Sequence, residues 1–168
     1  MLKKIAAAAS LVLASSAALA ADPGSFYAGL DVGKTKIEHV NDRESSYGLF
    51  VGYQFHQNFA FEAGMRRLEN FDYGFGNQAG YERTGQVALS VVGSLPLGER
   101  LSVFGRLGYN RIGHASSYAG NTYRYHENKP LYGVGLAYAL TPTISARVEL
   151  QKPASYLTNV NAGLAFQF

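Results

Sequence analysis

Cysteine and tryptophan are both absent from the 168 residues. Without cysteine a disulfide scaffold is excluded, so the fold has to be held by packing or by closure of its hydrogen bonds. A strong charge imbalance is missing too. The chain carries 15 Lys and Arg against 12 Asp and Glu; setting Lys3 and Lys4 aside leaves an excess of one positive charge. The basic isoelectric point therefore gives no argument for a nucleic-acid partner. Long apolar runs are also wanting: beyond residue 20 no segment reaches the ~18 uninterrupted apolar residues of a membrane helix.

What is present begins with a leader. Residues 1–20, MLKKIAAAASLVLASSAALA, place Lys3 and Lys4 before an apolar run that ends in Ala18-Leu19-Ala20. This is the pattern of a secretory signal peptide cut after Ala20, and it fits better than a short membrane anchor because the run is Ala-rich and ends in a cleavage-type motif. The remainder, 21–168, is short enough for one domain. Its 12 Tyr, 10 Phe and 19 Gly suit short strands better than helices.

Read with a period of two, the chain divides into eight expected strands, at 25–34, 46–55, 59–68, 81–97, 101–111, 130–140, 143–152 and 157–168. In the last, Val160, Ala162, Leu164, Phe166 and Phe168 share one face, while Asn159, Asn161, Gly163, Ala165 and Gln167 share the other. The connections alternate. His56-Gln57-Asn58, Gly98-Glu99-Arg100 and Thr141-Pro142 allow only tight turns, whereas 35–45, 69–80, 112–129 and 153–156 read as longer polar loops. Short turns at one end and long loops at the other predict an all-β fold, an eight-stranded antiparallel up-and-down transmembrane β-barrel.

The non-apolar face decides which way the barrel is turned. It holds Gly29, Gly33, Gly48, Gly52, Gly64, Gly108, Gly133, Gly135 and Gly163, a few Arg and Glu, and no lysine within the strand cores. A water-facing surface normally carries about a quarter to a third long charged side chains. Small residues suit instead the cramped interior of a narrow barrel. The apolar face therefore points outward, into lipid. Aromatic residues agree, because on that face Phe26, Tyr53, Phe55, Phe59, Phe61, Tyr138, Phe166 and Phe168 gather at the short-turn end. Tyr47, Tyr109, Tyr132 and Tyr156 fall near the other end, and two such belts mark membrane interfaces.

The stretches LFVGYQFHQNFAFEAGMRRL, GERLSVFGRLGYN and GLAYALTPTISARVELQ, closed by NAGLAFQF, resemble the OmpA-like transmembrane barrel family of Gram-negative outer membranes. The resemblance implies an integral protein of the cell outer membrane, exported by its signal peptide and surrounded by outer membrane lipids and lipopolysaccharide. It also implies that Val160, Ala162, Leu164, Phe166 and Phe168 serve as the signal for the barrel-assembly machinery. With the chain stopping at Phe168, no peptidoglycan-binding domain is expected. In the family, positions matching Glu62, Arg106 and Arg147 belong to an interior salt-bridge cluster. The acidic partner expected on the sixth strand is Ala137 here, which leaves Asp31 and Glu149 as substitutes.

Enclosed charge is costly unless paired, so the inward Asp31, Glu62, Arg66, Arg106, Arg147 and Glu149 are expected to form one interior network. Such a network acts either as a switchable plug in a narrow water path or as a fixed core. Lys34, Arg67, Arg111 and Lys152 share the lipid-facing parity, about eight to ten residues above the periplasmic end and so just beyond an apolar band ~25 Å tall. They are candidates for contact with lipopolysaccharide phosphates. No catalytic set emerges: His114, Ser116 and Ser117 read as a long loop without an acid at comparable spacing. His39, His114 and His126 lack metal-ligand spacing, and Glu38, Asp42, Glu44, Glu69 and Asp72 read as solvated faces. No cofactor or metal is called for. The expectation is a non-catalytic barrel with a structural and surface-interaction role, meeting a host or surface ligand through SSYAGNTYRYHEN; a narrow small-solute pore comes next, and a lipid A-modifying enzyme third.

Overall fold

A computed structural model describes residues 23–37, 43–75, 78–118 and 121–168. The expected signal peptide and the residues Glu38, His39 and Asp42 lie outside them, as do the side chains of Glu69 and Asp72. Among the described residues the chain forms eight strands: β1 (Phe26–Ile37), β2 (Arg43–His56), β3 (Phe59–Phe75), β4 (Gln78–Pro96), β5 (Leu101–Tyr118), β6 (Asn121–Ala139), β7 (Ile144–Ala154) and β8 (Leu157–Gln167). Each strand pairs antiparallel with the next, and β1 pairs with β8. The sheet is a closed barrel.

Closure is completed at the chain end, where the Phe26 amide donates to the Phe168 carbonyl at 3.1 Å and the Phe168 amide returns the bond at 2.9 Å. A C-terminal Phe is held there because its backbone has a partner and its ring faces outward, 68% exposed. The turns after β2, β4 and β6 are tight and share this end of the barrel. In the last of them the Thr141 hydroxyl accepts a bond from the Ile144 amide at 2.9 Å, fixing the reversal.

Strand length carries a correction. β7 and β8 have 11 residues each, about what a tilted strand needs to cross a bilayer. In contrast β3, β4, β5 and β6 have 17, 19, 18 and 19. The polar segments 69–80 and 112–129, expected as loops, are mostly strand, with Ala115 opposite Arg124 and Ser117 opposite Thr122. Beyond the bilayer both faces of a hairpin meet water, so polarity no longer signals a loop, while Tyr and Thr still favour extended backbone. Two long hairpins, β3–β4 and β5–β6, therefore stand above the membrane.

Parity sorts the side chains. Outward positions such as Leu30, Leu49, Met65, Leu89, Leu107, Val134 and Leu164 are exposed, and Asp31, Gln54, Glu62, Arg106 and Glu149 are buried. Tyr47, Tyr109 and Tyr132 face outward near the far rim, as expected. Tyr156 does not: it packs against the buried cluster of Leu68, Ile112, Ala154 and Leu157 inside the barrel mouth. Its place in the tight β7–β8 turn, where strand parity no longer applies, accounts for the difference.

Interior glycines make room for rings. A Cβ at Gly29 would overlap the Phe50 ring, and one at Gly135 would overlap the Phe104 ring and the Val148 carbonyl oxygen. Replacing Gly135 with Val is expected to lower the stability of the detergent-refolded barrel by about 1–3 kcal/mol, the usual range for overpacking. Urea unfolding measures it, and an unchanged midpoint would contradict the packing described.

Candidate functional site in the barrel interior and on its outer rim

The sequence places acidic and basic residues at inward positions on β1, β3, β5 and β7, and the closed sheet points all of them at one axis. Arg66 holds Asp31 with two bonds, Nη2 to Oδ2 at 2.6 Å and Nε to Oδ1 at 3.2 Å. Arg106 holds Glu149 in the same forked way, Nε to Oε1 at 2.6 Å and Nη2 to Oε2 at 3.2 Å. Its Nη2 also lies 2.6 Å from Glu62 Oε1. Arg147 joins the two halves, 2.9 Å from Glu62 and 3.8 Å from Asp31. Thus Asp31, Glu62, Arg66, Arg106, Arg147 and Glu149 lie in one connected chain of three acids and three bases with no net charge.

Neutral neighbours complete the layer, and parity alone did not single them out. Tyr27 donates to Glu62 Oε2 at 3.0 Å, Ser90 accepts from Arg106 Nη1 at 2.7 Å, and Gln151 accepts from Arg66 Nη1 at 2.6 Å. Phe50 lies under the Arg147 guanidinium, 3.3 Å from ring centroid to Cζ. Asn159 donates to Thr35 and Ser46 at 2.6 and 2.7 Å. Such saturation is what desolvated charges require, since each unpaired one would cost several kcal/mol. Ala137, on β6, carries no acid into the layer and lines the space below it.

The interior differs above and below this layer. On the periplasmic side a vestibule of about 480 Å³ opens, lined by Tyr27, Gln54, Ser94, Phe104, Arg147 and Gln167 among others. Within the layer, between Phe50, Glu62, Arg66, Arg106 and Arg147, only about 20 Å³ is free. That is room for roughly one water. On the extracellular side Leu68, Ile112, Ala154 and Leu157 are 0–3% exposed and form an apolar layer. It continues the parity of Glu62-Gly64-Arg66 into Leu68 and of Arg106-Gly108-Asn110 into Ile112, a signal present in the sequence.

At the mouth the structure alters the reading of His114. It sits on β5, stacked on Tyr125 with ring centroids 4.5 Å apart, with Nδ1 3.2 Å from the Thr84 hydroxyl and Nε2 3.6 Å from Glu127. An acid therefore does stand beside it, supplied by the neighbouring strand. Glu127 also receives a hydrogen bond from Tyr156 and pairs with Lys129 at 3.1 Å. The hydroxyl that meets His114 belongs to Thr84, only 2% exposed. Buried, it ties strands together and presents no open nucleophile.

On the outer surface, Lys34, Arg67, Arg111 and Lys152 all occupy outward positions. Lys34 Nζ donates to Ser45 Oγ at 2.9 Å, and Lys152 Nζ to the Ser155 carbonyl at 3.2 Å. Lys36, Arg83, Arg124 and His126 add to the same face farther out. Among the described side chains, no carboxylate takes an outward strand position. Val160, Ala162, Leu164 and Phe166 form the outward stripe of β8, and Phe168 continues it just past the strand, its ring 6.2 Å from that of Phe166.

Comparison with known proteins yields one fold. Residues 5–168 match the outer membrane protein beta-barrel domain family. Outer membrane protein A of Shigella flexneri is 27% identical over an alignment of 167 residues, covering 89% of this chain and 48% of that protein. The chain thus spans about half the length of the curated relatives it matches. Among solved structures, neisserial surface protein A superimposes with a TM-score of 0.67 at 14% identity, covering 85% of this chain and 97% of that one. Ail, the attachment invasion locus protein of Yersinia pestis, solved with the heparin analogue sucrose octasulfate, gives 0.61 at 15% identity, covering 88% of this chain and 100% of that one. A barrel greasy outside, ionic inside and matched along nearly its whole length to such proteins belongs to the outer membrane protein β-barrel family, and its place is the outer membrane of a Gram-negative cell.

Proposed function

We propose that the protein is a non-catalytic surface barrel, seated in the outer leaflet by contact with lipopolysaccharide and presenting its two long hairpins to ligands outside the cell. One observation carries this reading. Lys34, Arg67, Arg111 and Lys152 ring the barrel just above its apolar band, and no described carboxylate shares that face. Phosphates of a glycolipid at that height meet guanidinium groups able to bind them in forked geometry. On the β5–β6 hairpin, Tyr123 and Tyr125 are 71% and 60% exposed beside Arg124, a mixture of ring and charge suited to adaptable contact. The likeness to Ail, solved with a sulfated ligand, supports an anionic class for that contact. During insertion the outward stripe of β8 is read by the barrel-assembly machinery.

A pore is disfavoured by the filled interior. The ionic layer leaves room for about one water, and the apolar layer above it stands independently. Replacing Arg106 with Ala strands Glu149 and leaves Glu62 with Arg147 as its remaining ion-pair partner. The expected outcome is a loss of about 3–5 kcal/mol in stability, with planar-bilayer conductance unchanged because Leu68, Ile112 and Leu157 still close the path. A steady conducting state in this variant, at ordinary stability, would favour the pore.

Exchanging Lys34, Arg67, Arg111 and Lys152 together for Gln tests the outer contact. Lipopolysaccharide that accompanies the barrel through purification is expected to fall severalfold, with electrophoretic heat-modifiability retained. Equal retention would remove the proposed role.

A further inference from the structure

The lipid-facing surface is not evenly filled. Across β2 to β5 lies a shallow depression of about 680 Å³. Its floor is Ala63, set between Phe61 and Met65 along β3 and between Val51 and Leu89 on the neighbouring strands. Tyr53, Phe61, Val91, Leu107 and Tyr109 make its walls. Two cross-strand rows build it: Tyr109, Leu89, Ala63 and Val51, and below them Leu107, Val91, Phe61 and Tyr53. Rows run perpendicular to strands that are themselves tilted by roughly 35–45°. The depression therefore descends obliquely from the outer interface, marked by Tyr109, toward Phe26 at the periplasmic rim.

Charge stands at its upper end. Arg111 is two residues above Tyr109 on β5, and Arg67 is four residues above Ala63 on β3, about 13 Å along a strand at ~3.3 Å per residue. An apolar hollow in a membrane selects nothing by hydrophobicity, because bulk lipid is as oily as the wall. Selection has to come from close packing of a chain in the hollow together with pairing of the attached head group. The hollow supplies the first and the two arginines the second.

We infer that this hollow is a seat for one acyl chain of lipopolysaccharide, whose phosphorylated head is held by Arg111 and Arg67. The inference rests on the outer contact proposed above and specifies which strands make it. A multiply phosphorylated, multiply acylated head fits better than a phospholipid, because two guanidinium groups on adjoining parts of the collar can be engaged by one molecule while its chain descends.

The test is native mass spectrometry of the full barrel in detergent, offered lipid A or phosphatidylglycerol separately. Ala63→Phe fills the hollow while leaving every cation in place, and Ala63→Leu does so more gently on a face where Leu is already common. Both variants should lose lipid A adducts severalfold and keep phosphatidylglycerol adducts at the wild-type level. Undiminished lipid A in both, with loss in the fourfold collar variant, would overturn the seat and leave the collar standing. Undiminished lipid A in all three would overturn both, and equal loss of the two lipids would overturn the selection for lipopolysaccharide.

Discussion

An unpaired strand edge cannot exist in hydrocarbon, because no water is present to satisfy its amides and carbonyls. The pairing of β1 with β8 answers that constraint, and much else in the molecule follows from it. Once the ladder closes, every strand has an inside and an outside of fixed parity. Eight strands make a narrow tube, so the inside has little room and is rich in glycine. Outward positions must be apolar where they meet acyl chains and can become basic only where the chains end.

The same closure accounts for the ionic layer. Residues far apart in the chain, Asp31 and Arg147 for example, become neighbours only because the first and last strands meet. Three acids and three bases balance, and the neutral groups around them take up further donors and acceptors. Such an arrangement is costly to disturb and adds little stability over an apolar core. Its value here lies in register: β3 is tied to β1 and β7, and β5 to β3 and β7, by bonds across the lumen that a slipped strand could not make. The apolar layer above it, built on Leu68 and Ile112, separates the charges from the extracellular mouth.

Much of this was legible in sequence because the strand period is two and the two solvents of a membrane barrel differ so sharply. Parity gave the outward stripe of β8, the inward Arg106 and Glu149, and the outward Lys34 and Arg111. It lost its force where the solvent on both faces is water, which is why 69–80 and 112–129 read as loops and are largely strand. Tyr156 departs from the outward parity because it lies in a turn. The Glu127 neighbour of His114 is not legible because twelve residues intervene and only the structure supplies the register of β5 with β6. The acyl-chain hollow was invisible for a similar reason, since Ala63 is unremarkable until Val51 and Leu89 are set on either side.

The absence of native cysteine allows a direct test of the exterior. Single cysteines placed in turn from Val160 to Phe168, spin-labelled in a lipid-reconstituted barrel, report the solvent each position meets. A lipid-solvated exterior predicts that labels at Leu164 and Phe166 collide with oxygen dissolved in the bilayer, and that labels at Gly163 and Ala165 do not. A uniform response along β8, or collision of the even positions with a water-soluble relaxant, would contradict it.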